Sequence, residues 1–77
     1  MSGRLPTLKG VEVVRALEKA GLTVDRVKGS HHMMEHPEDA TRQAVVPVHA
    51  GRDIKRGLLR KIIDDAGLTV DEFIALL

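Results

Sequence analysis

Apolar positions along this 77-residue chain fall into blocks whose spacing changes from one to the next. Between about Gly10 and Ala20, Val13, Val14, Leu17 and Ala20 recur three or four residues apart, with Glu12, Arg15, Glu18 and Lys19 on the other side. That spacing predicts an amphipathic helix. Gly21 stands where a left-handed C-terminal cap is expected, and Thr7 is the nearest residue able to cap the start. Residues 1–8, punctuated by Pro6 and Thr7, read as a loose lead-in. Three segments of strand character follow. Residues 22–28 alternate loosely, Lys28-Gly29-Ser30 signals a tight turn, and residues 31–36 make the second segment. Pro37 through Arg42 reads as a polar hairpin loop before a third strand at 43–48. There Ala44, Val46 and Val48 share one face, and Val45, Pro47 and His49 take the other. Pro47 cannot donate to a ladder, which argues for an edge position.

A second helix over roughly 55–66 carries the stripe Leu58, Leu59, Ile62, Ile63 and Ala66, with Gly67 to end it. Thr69 and Glu72 form a capping box that opens a last short helix around Phe73. The order is helix, three antiparallel strands, helix, short helix. With both main helices on one sheet face, this is an α+β two-layer sandwich whose other face is partly open. The phrase AGLTVD occurs at 20–25 and again at 66–71. A strand follows the first copy and a helix the second, so the repetition is one of cap-and-turn chemistry rather than of structure.

Composition narrows the chemistry. There is one Phe, with no Trp, Tyr or Cys. The chain fits a single domain over 1–77 with an aliphatic core. It lacks the aromatic platform of single-strand nucleic-acid binders. Without cysteine, a disulfide scaffold, a thiol nucleophile and Cys-based zinc sites are excluded. A hydrophobic fraction of 43% and a charged fraction of 30% suit a soluble globular protein. No run is long and apolar enough to cross a bilayer, and the start has no apolar signal core, so a cytoplasmic protein with no membrane partner is expected. The net charge of +1 conceals an asymmetry. Arg52, Lys55, Arg56, Arg60 and Lys61 cluster against Asp53 alone, and the acidic Asp64, Asp65, Asp71 and Glu72 follow.

Four histidines, His31, His32, His36 and His49, lie within nineteen residues. Such a cluster points to a metal or to acid–base chemistry. The metal fits poorly. On a strand His32 and His36 share a face but stand about 13 Å apart, and His31 and His32 point to opposite faces. One ion binds its ligands at about 2 Å, so a site would need His49 folding back beside one of these histidines, plus a carboxylate such as Glu35. Neither a metal nor another cofactor is expected. The sharper feature is Gly29-Ser30-His31-His32, where a tight turn would present a solvent-reachable imidazole at the start of a strand. Lys28 and His49 could add positive charge for a phosphate. The plain alternative is that His31 is a polar residue at a strand edge.

The run Lys28-Gly29-Ser30-His31-His32, then His36-Pro37, Val46-Pro47-Val48-His49, Leu58-Leu59-Arg60-Lys61-Ile62 and Ala66-Gly67-Leu68, resembles the HicA (YcfA-like) family of mRNA interferase toxins. The likeness extends from about Gly10 to Phe73. It departs at Leu22, where an aromatic is common, at Met33 and Met34, and in a somewhat longer 37–43 hairpin. The resemblance implies a fold like that of double-stranded RNA-binding domains. It also implies an mRNA substrate, ribonuclease activity that halts translation, and neutralisation by a HicB-type antitoxin that covers the active site. The family's catalytic histidine, directly after Gly-Ser, falls on His31. It would serve as general base on the RNA 2′-hydroxyl or as general acid on the leaving 5′-oxygen, with divalent metal dispensable. The second proton-transfer group is left open among His49, His32 and water. Ser30, His32 and His49, with Lys28, Lys55, Arg56, Arg60 and Lys61, are the candidate RNA contacts. The competing readings are a non-catalytic RNA-binding module with the same fold, and a plain interaction protein.

Overall fold

The computed structural model describes residues 4–77. Helix α1 spans Gly10–Lys19, strands β1, β2 and β3 span Thr23–Lys28, His31–His36 and Asp39–Pro47, and helices α2 and α3 span Arg56–Asp65 and Val70–Ile74. The three strands form one antiparallel sheet in the order β1-β2-β3. This is the expected α+β arrangement, and β3 with Pro47 lies at an edge as the proline requires.

Alternation along the strands sorts side chains onto two faces. Met34 of β2 and Ala44 and Val46 of β3 are buried, and they join Val13, Val14, Leu17, Leu59, Ile62 and Ile63 from α1 and α2 in one core. Phe73, the chain's one aromatic, is fully enclosed. It lets the five-residue α3 close the core's end, and its burial is worth roughly 1.5–3 kcal/mol. The sheet's outer face carries His31, Met33 and Glu35 opposite Pro47, Val45 and Gln43.

Both main helices stop in the same way. The amides of Gly21 and Leu22 donate to the carbonyls of Glu18 and Leu17, and those of Gly67 and Leu68 to the carbonyls of Asp64 and Ile63. Both are Schellman caps, with each glycine at positive φ. The two AGLTVD copies diverge three residues after the threonine. Glu72 accepts from the Thr69 amide at 2.8 Å while Thr69 Oγ1 accepts from the Glu72 amide at 3.1 Å. The first copy has Arg26 at that position, which cannot accept a hydrogen bond, and the chain extends into β1.

Three expectations need correction. The hairpin between β2 and β3 is a turn at Pro37 and Glu38, because the polar residues from Asp39 onward already belong to β3. Asp39 Oδ1 accepts from the Thr41 amide at 3.0 Å and the Thr41 hydroxyl at 2.5 Å, and Gln43 donates to Glu35 across the strands at 2.7 Å. The Thr41 bonds hold the Asp39 carboxyl below its ordinary range. Helix α1 is capped at Lys9, not Thr7, with the Glu12 carboxylate accepting from the Lys9 amide at 2.9 Å. The lead-in is tied down from Leu5 on. Leu5 and Leu8 are buried, and the Ile54 amide donates to the Leu8 carbonyl at 2.8 Å. Residues 1–3 of the expected loose lead-in lie outside the described residues.

Candidate functional site

Gly29 takes φ 61° in the two-residue turn between β1 and β2, a region that disfavours side chains with a β-carbon. The turn ends as His31 opens β2, with Lys28 directly opposite on β1 and Pro47 opposite on β3. His31 is thus fixed in a ladder from both sides, yet its side chain is exposed on the outer face.

The segment leaving β3 is held by three separate contacts. The Val48 amide donates to the Ser30 carbonyl at 2.7 Å, continuing the β2–β3 register past its end. Gly10, at the start of α1, packs directly on this backbone. A β-carbon there would collide with the Pro47 carbonyl oxygen and come within 2.8 Å of the Val48 Cα. Lys9 bridges Asp53 through both backbone and side chain, the Lys9 Nζ–Asp53 Oδ1 distance being 3.1 Å. The loop that carries His49, Arg52 and Lys55 is therefore pinned to the N-terminal end of α1. Within it, the Arg52 amide closes a turn onto the His49 carbonyl at 3.0 Å.

Two surface depressions meet at His31, Pro47 and Leu58, which line both of them. One, of about 310 Å³, is completed by His49, Arg52, Asp53, Ile54 and Lys55. Asp53, its one carboxylate, is engaged by Lys9, so the cations Arg52 and Lys55 dominate its electrostatics. The other, of about 390 Å³, runs along the edge of β3 against α2 and is lined by Gln43, Val45, Lys61, Ile62 and Asp65 as well. Asp65 lies 2.7 Å from Lys61 and raises that ammonium's pKa, and the pair neutralises much of this second wall.

The structure thus divides the sequence candidates. Lys28, Ser30, His49 and Lys55 gather about His31, and Lys61 faces it across the second depression. Arg56 and Arg60 line a different depression, with Arg4 and Leu5. His32 points to the helix-covered face opposite Val46, where its Nδ1 is enclosed without a hydrogen-bond partner. His36 sits at the far end of β2, and its Nδ1 accepts from the Glu38 amide at 3.1 Å. Among the described residues no group of three or more His, Cys, Asp or Glu side chains is placed to hold a metal ion.

Sequence reasoning missed two features. Leu58, assigned to the core stripe, is 40% exposed and forms the ridge between the depressions. Ser30 Oγ lies 3.3 Å from His49 Nε2, a contact between residues nineteen apart. The register held its signal. Once His31 is opposite Pro47, antiparallel counting sets Ser30 beside Val48 and His49.

Among the described residues no helix is long and apolar enough to cross a membrane. A search of curated proteins finds no match to this sequence. A family model described as HicA toxin of bacterial toxin–antitoxin matches residues 10–68. The matched stretch runs from α1 through the whole sheet, the Ser30–His31 turn and the His49 loop to the cap of α2, and by this match the chain belongs to the HicA toxin family.

Proposed function

We propose that this toxin is a metal-independent endoribonuclease that cleaves mRNA in the cytoplasm, halts translation, and is neutralised by a HicB-type antitoxin covering the His31 face. Family membership gives the toxin role and, with it, an antitoxin partner. The observation that carries the finer reading is the exposed imidazole of His31, anchored between two strands and bordered by cations.

A neutral imidazole offers a lone-pair nitrogen and a protonated one an N–H donor, so His31 can take the proton of a 2′-hydroxyl or give one to a departing 5′-oxygen. The nucleophile then belongs to the RNA itself, and no metal-bound water is needed. Lys28, Arg52 and Lys55 would hold the phosphodiester and offset the charge that grows on its oxygens in the transition state. With no aromatic on the outer face, the backbone rather than stacked bases would provide most of the grip. The apolar Val45, Pro47 and Leu58 beside it suit an antitoxin that masks the site. They are the kind of uncharged patch that forms the middle of a protein interface.

The test is induced expression of the chain with and without its antitoxin, joined to cleavage of a purified mRNA. Wild type should arrest growth and cut the transcript with or without EDTA. His31→Ala should do neither, with a loss of about 10²–10⁴-fold in rate, while still co-purifying with the antitoxin. Cleavage by His31→Ala at the wild-type rate would overturn the catalytic assignment. Binding of RNA by wild type with no cleavage would make the chain an RNA-binding module instead.

A further inference from the structure

We propose that His49 is the second catalytic group, sharing proton transfer with His31, and that Ser30 is the residue that positions it. The inference rests on the ribonuclease reading above. It adds the partner that a single histidine lacks, since one imidazole cannot accept the nucleophile's proton and donate the leaving group's in the same step.

Three observations converge on His49. It lines the same depression as His31. Its Nε2 lies 3.3 Å from Ser30 Oγ, and Ser30 is the residue directly before His31. Adjacent Cα atoms stand about 3.8 Å apart, so this contact ties the two imidazoles to neighbouring backbone positions. Finally, the backbone under His49 is fixed by the Val48–Ser30 bond and the close packing of Gly10. Of the remaining histidines, His32 lies beneath the helices and His36 at the far end of β2.

The reaction balances with these two groups alone. A neutral imidazole takes the 2′-hydroxyl proton as that oxygen bonds to phosphorus. The P–O5′ bond breaks, and the departing oxygen takes a proton from the other, protonated imidazole. The products are a 2′,3′-cyclic phosphate and a 5′-hydroxyl, and the two histidines finish with their protonation exchanged. A hydroxyl can donate to a neutral ring nitrogen and accept from a protonated one, so Ser30 can hold His49 in either state.

The decisive experiment compares single-turnover cleavage by wild type, His31→Ala, His49→Ala, Ser30→Ala and Ser30→Thr across pH. It is repeated on an RNA whose leaving 5′-oxygen at the mapped cut is replaced by sulfur, which departs without a proton. Wild type should give a bell-shaped profile. His31→Ala and His49→Ala should each lose about 10²–10⁴-fold on ordinary RNA and remove opposite limbs of the bell. The sulfur substrate should rescue one of the two variants and not the other, naming the acid. Ser30→Ala should lower the saturating single-turnover rate with the half-saturating enzyme concentration unchanged and shift the limb belonging to His49, and Ser30→Thr should restore the rate and the limb. Their unfolding midpoints should match wild type. If His31→Ala is inactive while His49→Ala keeps the wild-type rate and bell, the pairing is wrong and the ribonuclease reading stands. Rescue of both variants, or of neither, also overturns the pairing. Failure of wild type to cleave defeats the earlier reading.

Discussion

His31 and His32 are neighbours in the chain and share a side-chain chemistry, but they occupy opposite faces of one strand. His31 is exposed beside His49, Arg52 and Lys55. His32 is turned under the helices, with a ring nitrogen shut away from any partner. The same division repeats along the sheet. Met33 lies outward, its sulfur accepting from Arg26 Nε at 3.2 Å, and Met34 is 2% exposed in the core. Arg42 turns inward and donates to the Ala66 carbonyl at 2.8 Å, and Gln43 pairs outward with Glu35. A strand with one covered face assigns stability to alternate residues and leaves the others free for chemistry. Residue type alone says little about which role a position plays.

Paired substitutions on the two faces test this division. Met34→Ala should cost about 2–5 kcal/mol in denaturant unfolding, through lost burial and the cavity left behind. Met33→Ala should stay within about 0.5 kcal/mol of wild type, and a comparable loss from both would erase the distinction between the faces. Arg42→Ala comes next. It leaves the Ala66 carbonyl at the α2 cap without its charged donor, which should cost about 1.5–3 kcal/mol by the same measurement. Its outward neighbour should matter less, with Gln43→Ala costing about 0.2–1 kcal/mol. The smallest effect is electrostatic. Lys55→Ala should leave the unfolding midpoint in place and reduce the log–log salt slope of RNA binding by about 0.7, the contribution of one phosphate contact on a single strand. An unchanged slope would remove Lys55 from the RNA path.

Much of this division could be read from the sequence, because the periods of both helices and of Ala44-Val46-Val48 are set by burial. Both glycine caps and the Thr69–Glu72 box were legible for the same local reason. What stayed hidden depends on contacts between distant residues. Residues 39–42 look like a loop because this end of β3 carries polar side chains. Their order comes from Asp39–Thr41 and from Arg42 reaching Ala66, twenty-four residues away. Leu58 fits the apolar period of α2, but it extends past the core to the edge of β3. Leu5 and Leu8 follow no period at all, and their order comes from burial in the shared core and from the Ile54 amide's bond to the Leu8 carbonyl. At the site, the Gly-Ser-His turn announced His31. The gathering of Ser30, His49, Arg52 and Lys55 around it required the β2–β3 register and the loop pinned by Lys9.

The most direct test sets His31→Ala against His32→Ala, measuring mRNA cleavage and unfolding midpoint on each purified protein. His31→Ala should keep the wild-type midpoint and lose about 10²–10⁴-fold in rate. His32→Ala should unfold earlier and, where it is still folded, cleave at close to the wild-type rate. The reverse pattern, a folded His32→Ala that is inactive beside a His31→Ala that still cleaves, would contradict the assignment of catalysis to the open face.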